Sequence, residues 1–167
     1  EVGILDIKEK PDPQIKKDDW VIIKNEGCGV CGSDLHILAD PPGFEATLGA
    51  VLGHEFLGRV VEVGSAVTGT KVGDRVAVNP NMTCGNCRFC KAGLVNHCEN
   101  WTTLGLDMDG GFAPYTTAPE SALHPLPEDL PFDIAVWTEP LSCVVNGTDK
   151  IAIQPAQTAV VIGAGPI

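Results

Sequence analysis

Four cysteines crowd into fifteen residues, Cys84-x2-Cys87-x2-Cys90-x7-Cys98, with Gly85, Asn86 and Gly93 supplying tight turns between them. Four thiolates in that spacing suit a tetrahedral Zn²⁺ ion at about 2.3 Å per bond, in a closed site whose role is structural. An iron–sulfur cluster, two disulfides or unrelated buried thiols compete with this reading. The spacing is too short and regular for a disulfide ladder, and zinc is the expectation. Zinc in so short a loop supplies on the order of 10 kcal/mol toward folding it. His97, beside a ligand, reads as a solvated neighbour.

A second set of donors is dispersed. Cys31-Gly32-Ser33-Asp34-Leu35-His36 and Gly53-His54-Glu55 each place a ligand beside a glycine, and neither holds enough donors to close a tetrahedron. Together they offer a thiolate, an imidazole and a carboxylate with one position left for water or substrate, which is the composition of a catalytic zinc site. Taken singly, Cys28-x2-Cys31 could be a redox pair, His54 a structural histidine and Glu139 a surface carboxylate. Their joint occurrence on either side of the cysteine lobe carries the metal reading.

These residues need elements to hold them. Trp20-Val21-Ile22-Ile23-Lys24 is short and β-branched and reads as a strand, followed by a turn from Gly27 to Gly32 and a short helix capped by Ser33 or Asp34. Strands are expected at Gly58–Val63, Arg75–Val78 and Phe112–Thr117, separated by glycines, a rhythm that suits a curled, partly open antiparallel β-barrel. From Pro131 to Asn146 the period becomes helical, and Pro140 is expected to break or kink that helix and leave Glu139 at the joint. Thr158-Ala159-Val160-Val161-Ile162 reads as a strand buried on both faces, running into Gly163-Ala164-Gly165-Pro166-Ile167.

Composition narrows the class. Gly (19) and Pro (13) make up about a fifth of the 167 residues, which argues against a helical bundle. A formal charge of −11 repels phosphate backbones and anionic lipid, and no apolar run approaches the ~20 residues of a membrane span. Neither nucleic acid nor membrane is an expected partner, and the expected location is cytoplasmic.

With these motifs assembled, the chain resembles the GroES-like catalytic domain of the zinc-dependent medium-chain alcohol and polyol dehydrogenases, the sorbitol and threonine dehydrogenase branch in particular. The resemblance rests on Gly-Val-Cys-Gly-Ser-Asp-Leu-His at 29–36, Gly-His-Glu-x2-Gly-x5-Gly at 53–64, Gly-Asp-Arg-Val at 73–76, the cysteine lobe at 84–98 and Glu-Pro-Leu at 139–141. It implies a mainly β fold with short helices, residues 1–155 forming the zinc-binding catalytic domain and 156–167 the first strand and glycine turn of a truncated Rossmann domain. Cys31 and His54 would be catalytic-zinc ligands, with Glu55, Glu139 or water completing the shell. Glutamate at 139, where alcohol dehydrogenases of the family carry a ligand cysteine, points to the polyol branch.

The resemblance further implies that Asp34 fixes the tautomer of His54, and that Ser33 and His36 relay a proton from the substrate hydroxyl to solvent. Cys28 and Cys143 are expected to pack as buried, unreactive thiols. Gly163 and Gly165 match the first two glycines of the dinucleotide fingerprint, so NAD or NADP is the expected cofactor of the complete enzyme. The implied activity is oxidation of a small alcohol or polyol by hydride transfer, in a homo-oligomer. The chain reads as excised from a longer enzyme at both ends and inactive alone. A non-catalytic zinc-binding GroES-like module is the alternative; it would hold one zinc ion where the enzyme holds two.

Overall fold

The computed structural model describes residues 4–151, 153–165 and 167. Its strands are β1 (Trp20–Gly29), β2 (Glu55–Val63), β3 (Arg75–Val78), β4 (Asn81–Met82), β5 (Thr102–Thr103), β6 (Tyr115–Pro119) and β7 (Leu123–Pro125). Five of them form one antiparallel sheet in the order β6-β1-β2-β3-β7, while β4 and β5 pair as a separate ribbon at the root of the cysteine lobe.

The connection between the two edge strands forces the sheet to curl. β6 and β7 lie at opposite edges, yet only Glu120–Ala122, a single 3₁₀ turn, joins them. A flat sheet would hold those edges about 19 Å apart, at ~4.8 Å per strand, whereas four residue steps reach at most ~14 Å. The edges therefore approach each other, giving the partly open barrel expected from the glycine-separated strands.

Strand alternation then divides the apolar residues. Val21, Ile23, Phe56, Val60, Val76, Val78 and Ala118 point inward and pack with Leu104 and Ala122. Burial of each larger side chain contributes about 1.5–3 kcal/mol. Leu57 and its cross-strand partner Ala77 face the other side, where Ala135 covers them.

Helices α1 (Gly32–Ile37), α2 (Arg88–Lys91), α3 (Phe132–Ala135) and α4 (Thr138–Ile151) complete the fold. The N-cap of α1 is Cys31 rather than Ser33 or Asp34; Asp34 sits one turn in and reaches back, its Oδ2 accepting from the Cys31 N–H at 2.9 Å. The helical region after Pro131 does break, but at Val136-Trp137, upstream of the proline. Pro140 occupies the first turn of α4, where its missing amide hydrogen would have had no helical partner in any case. Glu139 consequently stands in that first turn rather than at a kink.

Other boundaries shift for identifiable reasons. β1 continues past Lys24 because Gly27, Cys28 and Gly29 pair with Leu57, Phe56 and Glu55. β6 starts at Tyr115, since Gly110, Gly111 and Phe112 donate instead to Val51, Gly53 and Leu52. Thr158–Ile162 forms no strand: Val160, Val161 and Ile162 are 82%, 86% and 96% exposed. A strand buried on both faces needs a neighbour on each side, and the run pairs with no strand among the described residues. Gly163 and Gly165 lie exposed beyond it, and Pro166 of the expected glycine turn falls outside the described residues. No helix of the described residues is long and apolar enough to cross a membrane.

Candidate metal centres

The four lobe cysteines converge, with ligand sulfurs all within 4.8 Å of one another. Cys98 Sγ and Cys84 Sγ stand 3.5 Å apart, far beyond a ~2.05 Å disulfide and close to the about 3.8 Å edge of a tetrahedron of sulfurs around zinc. All four are free thiols. Backbone N–H groups already point at the sulfurs: Cys84 N–H to Cys98 at 3.3 Å, Cys87 N–H to Cys84 at 3.4 Å, Cys90 N–H to Cys87 at 3.4 Å and Asn100 N–H to Cys98 at 3.4 Å. Such donors favour thiolate, and those of Asn86 and Cys87 together with the Asn100 side chain bring the Cys84 thiol down to about 6. Cys87 is lowered too, whereas burial and the neighbouring thiols push Cys90 up to about 12; four converging sulfurs wrapped in amide donors fit a divalent ion that prefers soft ligands.

Cys31, His54 and Glu55 form the second cluster, their ligand atoms also mutually within 4.8 Å. They arrive from the N-cap of α1, the segment before β2 and the first residue of β2. His54 and Asp34 are buried, at 8% and 3% exposure, and the His54 Nδ1 lies 3.8 Å from Asp34 Oδ1. Both atoms are buried without a hydrogen-bond partner. That is the disposition expected of an imidazole steadied from behind by a carboxylate while its other nitrogen takes an ion. The residues present fit a divalent metal.

The remaining expected site residues fall around this cluster unevenly. Ser33 Oγ lies 3.7 Å from Cys31 Sγ. His36 is exposed, edge-on to Phe44 with ring centroids 6.0 Å apart, and no hydrogen bond joins its ring to Ser33. Glu139 stands beside the cluster but outside the converging set; burial raises its carboxyl above the usual range, opposed by His54 and reinforced by the charge of Glu55. Cys28 is partly buried, and burial pushes its thiol up to about 12, in keeping with a packing role. Cys143 departs from expectation: it is exposed on α4, one turn beyond Glu139, and its thiol is raised by partial burial and by the nearby charges of Glu139, Cys31 and Glu55.

What aims His54 was not evident from its own motif. Gly53 has φ +92°, and a Cβ there would collide with Phe112 and Cys28. The Gly53 carbonyl accepts from the Gly111 N–H at 2.7 Å, and Gly105 and Gly110 press backbone against the same carbonyl where no side chain fits. The Gly110-Gly111 pair was visible in the sequence as a strand separator; its partner across the fold was not.

With this geometry in place, the comparisons agree with it. The alcohol dehydrogenase GroES-like domain signature matches residues 17–128. A sorbitol dehydrogenase from Halalkalibacterium halodurans is 40% identical over 166 residues, covering 99% of this chain and 48% of that protein. An L-threonine 3-dehydrogenase from Xanthomonas campestris is 38% identical over 149 residues, covering 88% and 44% respectively. Among solved structures, a protein described as a zinc-binding dehydrogenase from Sinorhizobium meliloti, bound to NADP, superposes with a TM-score of 0.84 at 38% identity over 90% of this chain and 43% of that one. Galactitol-1-phosphate dehydrogenase from Escherichia coli gives 0.80 at 34% identity, over 86% and 41%. This chain belongs to the alcohol dehydrogenase GroES-like domain family. It spans about half the length of the relatives it matches.

Proposed function

We propose that residues 1–155 are the catalytic domain of a zinc-dependent dehydrogenase of alcohols or polyols, a cytoplasmic homo-oligomer using NAD or NADP, and that residues 156–167 open its dinucleotide-binding domain. The observation that carries this reading is the convergence of Cys31, His54 and Glu55 from separate segments, with the unpartnered Oδ1 of Asp34 behind the imidazole. The relatives named for sorbitol, threonine and galactitol 1-phosphate oxidation support a hydroxyl-bearing substrate.

Zinc at the second cluster would supply the Lewis acidity that makes an alcohol hydroxyl a far stronger acid, and zinc in the cysteine lobe would supply stability. Cys31 and His54 would hold the catalytic ion, with Glu55, Glu139 or water completing its shell. Asp34 orients His54. Ser33, beside Cys31, is placed to take the hydroxyl proton, and His36, exposed beyond it, to release that proton to solvent once its ring turns from Phe44 toward Ser33. Gly163 and Gly165 would help hold a nicotinamide dinucleotide, which would supply the hydride-accepting chemistry.

Metal counting tests the reading. Two zinc ions per chain are expected, and Cys31→Ser should leave one, in the cysteine lobe. A wild-type chain that loads only the lobe would make this a non-catalytic zinc-binding module instead. Residues 1–167 by themselves are expected to bind zinc without oxidising alcohol, because Gly163 and Gly165 join no sheet among the described residues.

A further inference from the structure

Two polar side chains that none of the metal motifs contains meet on the segment leading to the second cluster. The Thr116 hydroxyl, on β6 and 1% exposed, donates to the Gly110 carbonyl at 2.7 Å and accepts from Asn25 Nδ2 at 2.7 Å. Asn25, on β1, also donates to Ala113 O at 2.7 Å and, more weakly, to Gly111 O at 3.4 Å, while its own N–H bonds Pro114 O at 2.9 Å. The pair thus grips the segment 110–114 from beneath. The upper side of that segment holds the approach to His54: Gly110 N–H to Val51 O at 2.8 Å, Phe112 N–H to Leu52 O at 2.9 Å and Gly111 N–H to Gly53 O at 2.7 Å.

We infer that Asn25 and Thr116 are positioning residues for the second metal centre, acting through the Gly110-Gly111 backbone to hold Gly53 in its left-handed conformation and so fix the direction of His54. The inference rests on reading Cys31, His54 and Glu55 as a metal centre. Its physical basis is that Gly53 has no side chain to restrain it and sits at φ +92°, where only the Gly111 N–H and the close glycine backbones define its carbonyl direction. A segment anchored on one side only would let that carbonyl, and the imidazole after it, wander. Ligand orientation by outer partners commonly governs metal affinity by ten- to a hundredfold.

Thr116→Val keeps the shape and strand preference of the residue and removes both hydrogen bonds; Thr116→Ser keeps both bonds. Cobalt(II) titration of the full chain reads each centre separately, since a site with one thiolate and a site with four absorb differently, and the cysteine lobe serves as an internal control for folding. Expected for Thr116→Val is affinity about tenfold weaker at the Cys31–His54 centre, unchanged affinity in the lobe, and a Gly111 amide that exchanges with deuterium at least about tenfold faster in the metal-free chain. Thr116→Ser should behave as wild type. Asn25→Ala, which spares the Thr116–Gly110 bond, should move the same readouts less and covers the case in which the valine variant does not fold. Wild-type affinity in Thr116→Val, or equal weakening at both centres, would overturn the inference. Should the wild-type chain bind cobalt only in the lobe, the metal reading falls and the positioning role with it, while Gly111 exchange still reports whether the latch itself exists.

Discussion

The Nδ1 of His54 and the Oδ1 of Asp34 face each other across 3.8 Å, both buried and neither with another partner. A buried donor and acceptor left apart in this way are costly unless something draws them together. An ion on the other ring nitrogen would do so, by making Nδ1 an obligate donor to the carboxylate.

Asp34→Ala is therefore expected to weaken the second centre by ten- to a hundredfold in a chelator competition while the cysteine lobe keeps its metal. Asp34→Asn retains an acceptor and should lose less. Unchanged zinc affinity in Asp34→Ala would remove the carboxylate from the metal's support.

The cysteine lobe should depend on its ion in a way the barrel does not. Leu94, Val95 and Trp101 are 51%, 44% and 38% exposed, so little apolar burial holds the lobe together. Zinc supplies on the order of 10 kcal/mol to sites of this type. Stripping metal should abolish amide protection across 84–98 while β1, β2 and β3 remain protected in hydrogen exchange. Persistent protection of the lobe in the metal-free chain would show that its backbone folds without the ion.

Glu120 makes a pH-dependent contribution of predictable sign. Its carboxylate accepts from the N–H groups of Thr68, Gly69 and Thr70, which hold it below the usual carboxyl range. A depressed folded pKa contributes stability that is fully present above the unfolded value, about 4.3, and is lost as pH falls through the folded value. The gap in melting temperature between wild type and Glu120→Gln should thus be constant from neutral pH to about 5 and shrink at lower pH. A gap that stays the same down to pH about 3 would contradict the charge-assisted role.

Much of this was legible in the sequence because ligand chemistry is local. The lobe cysteines and Cys31, His54 and Glu55 announce themselves by type, and the strands Gly58–Val63 and Arg75–Val78 by β-branched runs. What could not be read is long-range. The Asn25–Thr116 pair joins residues 91 positions apart, and Glu120 caps a turn 50 to 52 positions upstream. β4, β5 and β7 are two or three residues long, too short for any periodicity. Thr158–Ile162 misled in the opposite sense: its composition is that of a buried strand, but a strand is made by its neighbours.

Arg75 offers the sharpest stability test, because its charge is buried and its partners lie on different elements. The guanidinium, 5% exposed, bonds Glu26 on β1 through Nε at 2.9 Å and Nη2 at 2.8 Å, and donates from Nη1 to the Leu130 carbonyl at 2.5 Å. Arg59 adds a second contact to Glu26 at 3.3 Å and a bidentate pair to Glu128 at 2.9 and 2.7 Å. The segment running into α3 and α4, and hence to Glu139, is thereby tied to the barrel at its β3 side. Removing one member of a buried pair costs about 3–5 kcal/mol, and the partial exposure of Glu26 and its remaining contact with Arg59 place Arg75→Met below that range, at about 2 kcal/mol. Arg75→Met with Glu26→Gln should recover part of that loss, since the stranded charge is gone, so urea denaturation of both single variants and the double variant should give a coupling energy of about 1 kcal/mol or more. Strict additivity would mean that Arg75 acts through the Pro127 and Leu130 carbonyls alone, and that the carboxylate of Glu26 is held by Arg59.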